Sequence, residues 1–166
     1  GVSLYDAALM AKEAGFTEPD LRIDLSGKDV KRKLLVLARK AGYSIEEEEI
    51  VEYPLIPKEL FEKPTLEEFM QALKEYSPTF DKMVSEVKQR GNRLRFFAVF
   101  ENEKAKISLE EIVPDYHSYN LDDSTNIFLL YTKRYSPSPL IIKGYGAGAG
   151  VTAAGIFGDI IKATQE

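Results

Sequence analysis

Apolar positions recur at helical spacing at Tyr5, Ala8, Leu9, Ala11 and Ala14. They predict an amphipathic helix opened by Ser3, with Asp6 in capping-box position, and closed by Gly15. A second run, Leu34, Leu35, Leu37, Ala38 and Ala41, predicts a helix from about Gly27 to Ala41, capped by Ser26 with Asp29 in box position and closed by Gly42. From Glu46 to Tyr53 an acidic run passes into Ile50, Val51 and Tyr53 before Pro54 and Pro57 interrupt, which reads as a short strand and then an irregular link. Thr65 and Glu68 form another box, opening a helix to Tyr76 that carries Leu66, Phe69, Met70 and Leu73 on one face. A further helix is expected from about Pro78 to Arg90, ending at Gly91. Phe69, Met70, Phe80 and Met83 fit a core stripe better than a cofactor box.

The second half changes period. Arg93 to Phe100 and Ala105 to Val113 are rich in aromatic and β-branched residues around a polar turn, Glu101 to Lys104, and predict a hairpin. Asn126 to Lys133 and Leu140 to Lys143 predict two more strands, and Val151 to Ala163 a last helix. Helices followed by a mainly antiparallel or mixed sheet, with the helices packed on one face, make an α+β fold.

At 166 residues the chain fits one core, burying roughly two thirds of its unfolded surface. A net charge of −5, with acids spread along the chain, disfavours nucleic acid. The RFFAVF strand resembles an RNA-stacking platform only faintly, lacking that motif's glycine and a basic surround. Without cysteine there is no disulfide framework or thiolate metal site, and a cytoplasmic setting follows as the natural inference. No run reaches the roughly 18 apolar residues of a membrane span. Gly1 leads straight to the Ser3 cap without a methionine or leader, so an excised piece is expected.

Candidate chemistry concentrates between Thr17 and Lys33, TEPDLRIDLSGKDVKRK. Glu18, Asp20, Arg22 and Asp24 crowd the approach to the second helix, more charge than a purely structural turn needs. Asp29 and Lys33 stand one helical turn apart with the acid nearer the N-terminus, either as an ordinary salt bridge or as a working pair. His117, the single histidine, lies in a loop from Pro114 to Ser124 with no second ligand candidate beside it and receives no role; no metal site is assigned. Gly144, Gly146, Gly148 and Gly150 alternate between a strand and a helix. That is the grammar of a phosphate or dinucleotide site, but no window satisfies G-x-G-x-x-G or a P-loop, so a packed turn and a ligand contact both remain open.

GVSLYDAALMAKEAGFTEPDLRIDLSGKDVKRKLLVLAR resembles the catalytic region of homoserine dehydrogenases, and PLIIKGYGAGAGVTAAGIFGDII resembles their C-terminal signature. The form is similar to the dehydrogenase portion of a fused aspartokinase–homoserine dehydrogenase. The resemblance implies NADP- or NAD-linked interconversion of L-aspartate 4-semialdehyde and L-homoserine, in threonine and methionine biosynthesis. It implies a homodimer, and it implies that the family's Rossmann half is missing here, leaving a fragment inactive alone. Residues 1–144 would then be the substrate-binding, catalytic and dimerisation domain, and 145–166 a glycine loop and helix that pack against the missing nucleotide-binding domain. The pattern places substrate-binding carboxylates at Glu18, Asp24 and Asp29, a proton donor at Lys33, and at Gly148 a glycine whose backbone lies against the nicotinamide cofactor. Reduction of the aldehyde leaves an alkoxide, which an ammonium such as Lys33 can protonate. Carboxylates can hold the substrate's ammonium. The chain departs from the family pattern at Phe16, Leu21 and Ile23, where the family usually has tyrosine, proline and aspartate. A non-catalytic amino-acid-binding or interaction module is the alternative, using the same acidic loop to hold an ammonium.

Overall fold

In the computed structural model, which describes residues 1–122, 125–146 and 148–165, Ser3 caps the first helix, α1 (Leu4–Glu13), as its spacing requires. Its Oγ accepts the Asp6 amide at 3.0 Å and donates to the Asp6 carboxylate at 2.7 Å. The next amides at that helix end are satisfied by another helix. Leu4 N–H donates to Asp81 Oδ1 at 3.0 Å and Tyr5 N–H to Ser77 Oγ at 2.8 Å, which fixes α1 against α5 (Leu66–Gln89).

That helix α5 runs unbroken through Pro78, where the sequence predicts two helices. Proline removes one amide donor, but Phe69, Leu73, Ser77 and Val87 keep a single buried face across it. The α1 contacts at Ser77 and Asp81 hold the chain on either side of the ring. Thr65 and Glu68 close the predicted capping box, with hydrogen bonds of 3.1 and 3.3 Å.

The two compact units are Gly1–Pro114 and Asp115–Glu166. In the first, β1 (Ile50–Glu52), β2 (Arg93–Glu101) and β3 (Lys104–Ile112) form a sheet in the order β1-β3-β2. β2 and β3 are the predicted hairpin, antiparallel, with Phe96 opposite Leu109. Asn102 and Glu103 make its turn at φ +50° and +61°, the left-handed pair that a two-residue hairpin demands. β1 lies parallel to β3, with Ile50 opposite Ala105. It is shorter than expected, because Glu47–Glu49 turn as a 3-10 helix capped reciprocally by Glu46 and Glu49.

Two apolar clusters stabilise this unit. Leu34, Leu35 and Ala38 of α3 (Lys28–Lys40) meet Ile45, Ile50, Ala105 and Ile107 at the sheet, with Phe96 and Phe100 packed against them. Leu21 of α2 (Leu21–Leu25) joins Ile56, Phe69 and Leu73 in a helical cluster with Leu4, Tyr5 and Ala8. A one-turn helix, α4 (Lys58–Phe61), occupies the link read as irregular and places Phe61 5.8 Å from Phe69, ring to ring.

Beyond the end of α5, Arg90 donates from Nε and Nη2 to the Glu111 carboxylate at 2.9 and 2.6 Å, and Asn92 adds a bond of 2.6 Å. These donors pull the Glu111 carboxyl from its ordinary 4.5 down to about 2. Since the folded pKa lies below the unfolded one, the stabilisation is complete above about pH 4.5 and disappears as pH falls through about 2. Carboxyl titration by NMR is expected to give Glu111 a midpoint near 2, returning toward 4.5 in Arg90→Ala. A midpoint near 4.5 in the unaltered protein would refute the clamp.

In the second unit, β4 (Thr125–Leu130) and β5 (Leu140–Tyr145) pair antiparallel, with Phe128 opposite Ile142, followed by α6 (Ala149–Ala163). Phe128, Leu130, Ile141, Ile142 and Tyr145 are exposed, as are Ile156, Phe157 and Ile160 of α6. Among the described residues the arrangement is the expected α+β class, helices with small mixed and antiparallel sheets.

Candidate functional site

The acidic stretch is ordered by its own charges, not left as a loop. Asp20 Oδ1 accepts the Arg22 amide at 3.0 Å and opens α2, a turn absent from the sequence reading. The Arg22 side chain returns to the same carboxylate through Nε and Nη2, at 2.9, 3.0 and 2.6 Å, and reaches Lys63 O at 3.0 Å through Nη1. The guanidinium holds the Asp20 carboxyl below its ordinary range. These two charges are therefore structural, contrary to the expectation that so much charge marks function. They press Leu21, 1% exposed, into the helical cluster.

Ser26 ends α2 and does not cap α3 by the predicted box. Its hydroxyl donates to Ile23 O at 2.7 Å and accepts the Lys28 amide at 3.3 Å. The N-cap is Gly27, at φ +73°. A Cβ there would stand 3.2 Å from both Ile107 Cδ1 and Phe96 Cζ, so the sheet and the left-handed backbone both select glycine. The Asp29 side chain, freed from a capping role, turns along the helix.

Asp29 Oδ2 lies 2.7 Å from Lys33 Nζ, and these side chains are 68% and 56% exposed. The predicted pair is thus formed and open to solvent. Glu18 and Asp24 are also exposed, and the Glu18 amide donates to Asp24 Oδ2 at 3.1 Å, bracing the TEPD turn. Among the described residues, hydrogen bonds and ion pairs join Glu18 to Asp24 and Asp29 to Lys33, and none joins one pair to the other. Phe16 and Ile23, at two of the positions that depart from the family pattern, are exposed.

Lys31 was absent from the sequence candidates. It is buried, and its Nζ lies 2.5 Å from Glu52 Oε1 on β1 and 3.9 Å from Glu47 Oε1. The detectable signal was its place on the apolar stripe of α3, one turn before Leu34 and Leu35.

In the second unit the glycine run is divided between elements. β5 reaches Tyr145 and α6 starts at Ala149, with Gly148 as its N-cap at φ +125°. A Cβ on Gly148 would meet nothing within 4 Å, so the backbone there faces open space at the helix N-terminus. A Cβ on Gly146 would fall 1.7 Å from Asn126 Nδ2, the end of a side chain that can swing aside. Ala147 lies outside the described residues. No helix among the described residues is long and apolar enough to cross a membrane.

Comparison with known proteins gives these features a context. The family description "Homoserine dehydrogenase" matches residues 1–161. The bifunctional aspartokinase/homoserine dehydrogenase of Haemophilus influenzae is 41% identical over 165 residues, which is 99% of this chain and 20% of that protein. The homoserine dehydrogenase of Schizosaccharomyces pombe is 40% identical, covering 96% of this chain and 43% of that one. A Candida auris protein of unknown function superposes with a TM-score of 0.87 at 35% identity, over 99% of this chain and 46% of that chain. The chain spans about a fifth of the length of the bifunctional relatives.

Proposed function

Because this chain belongs to the homoserine dehydrogenase family, we propose that it forms the substrate-holding and dimerisation part of an enzyme interconverting L-aspartate 4-semialdehyde and L-homoserine. The observation that carries this reading is the Asp29–Lys33 pair, formed and exposed on a helix anchored in the core. Lys33 is the proton donor to the oxygen of the reduced aldehyde and, in the reverse direction, accepts that proton from the homoserine hydroxyl. Asp29 keeps the ammonium in place between turnovers and, with Glu18 and Asp24, binds the substrate's amino group. The brace from the Glu18 amide engages one Asp24 oxygen and leaves the second for the ligand.

NADPH or NADH would supply the hydride when bound, and NADP or NAD would take it back in the reverse direction. Gly148 contributes the open backbone against which a nicotinamide can lie, and the rest of the dinucleotide is held by a nucleotide-binding domain outside these 166 residues. On this reading residues 145–166 pack on that domain, which accounts for the exposed Ile156, Phe157 and Ile160. The exposed Phe128, Leu130 and Ile142 of the β4–β5 pair support a homodimer, since an apolar sheet of two strands is at best marginally stable in water alone.

The isolated chain is expected to show no NADPH oxidation with aspartate 4-semialdehyde, whereas the parent protein containing it turns over. Turnover by the isolated chain would overturn the division of labour. A parent protein that binds an amino acid without oxidising NADPH or NADH would replace the enzyme by a binding module.

A further inference from the structure

Lysine is an expensive residue to bury, and Lys31 is buried to 9% exposure on the face of α3 that meets the sheet. Leu34, Leu35 and Ala38 continue that face inward, while the first turn of α3 contributes only Lys31 to the buried set. The ammonium is tied to two elements at once, Glu52 on β1 and Glu47 in the turn that leads into it. This pair is half-buried, the Lys31 side chain 11% and the Glu52 side chain 36% exposed; an ion pair in such a place adds little stability but restricts geometry. The geometry restricted here is that of the turn carrying Asp29 and leading to Lys33.

Resting on the function proposed above, we infer that Lys31 and Glu52 are positioning residues: their ion pair fixes the N-terminal end of α3 on β1 and so sets where Lys33 stands toward the substrate. The fully buried apolar contacts of α3 lie further along, and in its first turn only the partly buried Val30 packs beside the tie on the same cluster. Gly27 packs its bare backbone close under Phe96 and Ile107 but contributes no side chain to hold the helix end. Lys31 supplies that hold as an electrostatic tie to β1.

The test uses the parent protein with Lys31→Met, Glu52→Gln, Lys31→Arg and, as a control distant from the site, Lys82→Met, which removes only the exposed pair to Glu86 on α5. Lys31→Met and Glu52→Gln are expected to lower kcat about tenfold or more while the cofactor KM stays within about twofold, because small displacements of a reacting group cost rate before they cost cofactor binding. Lys31→Arg restores most of the rate, and Lys82→Met changes neither constant. Hydrogen exchange on the same proteins is expected to quicken at the amides of residues 28–33 and to stay unchanged at 34–40. Unaltered kcat in both Lys31→Met and Glu52→Gln overturns the inference, as does exchange that quickens along all of α3, which would make the pair a general stabiliser. Should the unaltered parent protein fail to reduce aspartate 4-semialdehyde, the functional reading falls, and localised exchange at 28–33 still decides whether the tie exists.

Discussion

Lys33→Ala in the parent protein is expected to lower kcat by about two to four orders of magnitude, the range over which a positioned proton donor acts. The same substitution should barely change stability. Its partner is Asp29 at 2.7 Å, both side chains are more than half exposed, and one is four residues from the other on α3; such pairs contribute about 0.5 kcal/mol or less. Steady-state kinetics with aspartate 4-semialdehyde and NADPH, read beside a thermal melt, separates these effects. Near-normal turnover in Lys33→Ala would remove the lysine from the mechanism. An equal fall in Tm and rate would make it a structural residue.

Phe69→Ala is expected to have the opposite signature, a loss of about 3–5 kcal/mol of stability, the usual cost of truncating a fully buried aromatic. Phe69 is 0% exposed, stacks on Phe61, and shares its cluster with Leu21, Ile56 and Leu73. Because Leu21 begins α2 in that same cluster, the cavity should also loosen the TEPD turn ahead of it. The urea midpoint measures the first effect, and hydrogen exchange at residues 17–25 the second. A loss below about 1 kcal/mol would mean that the cluster collapses around the gap, contrary to its close packing.

The two substitutions define the site from either side. On the proposed reading Lys33 and Asp29 carry chemistry at the surface, while the segment that presents them is anchored by Leu21 among the helices and by Leu34, Leu35 and Ala38 on the sheet. Asp20 and Arg22 resemble site residues in the sequence because they are charged and lie between Glu18 and Asp24. Their geometry shows a cap and a tether instead. A charge pattern cannot distinguish these roles, since a carboxylate that accepts a backbone amide and one that awaits a ligand are the same residue in the same motif.

What the sequence determined by itself is whatever depends on short spacing. The Ser3 and Thr65 caps, the hairpin from Arg93 to Ile112, the stripe of Phe69 and Leu73, and the Asp29–Lys33 pair each require residues within a few positions of one another, so periodicity and propensity suffice. The TEPD and GYGAGAG stretches likewise carried the family, because they are local strings. Only the tertiary structure decided that α5 continues through Pro78, since the α1 amides that dock at Ser77 and Asp81 come from more than 70 residues away. It also decided that Gly27, not Ser26, caps α3, because the chain turns left-handed there, at φ +73°, close under Phe96 and Ile107. Lys31 belongs to the same class: its partners Glu47 and Glu52 reach it through the parallel pairing of β1 with β3 and the packing of α3 on that sheet. Long-range pairing of this kind leaves no periodic trace in the chain, and a buried lysine is written with the same letter as a solvated one.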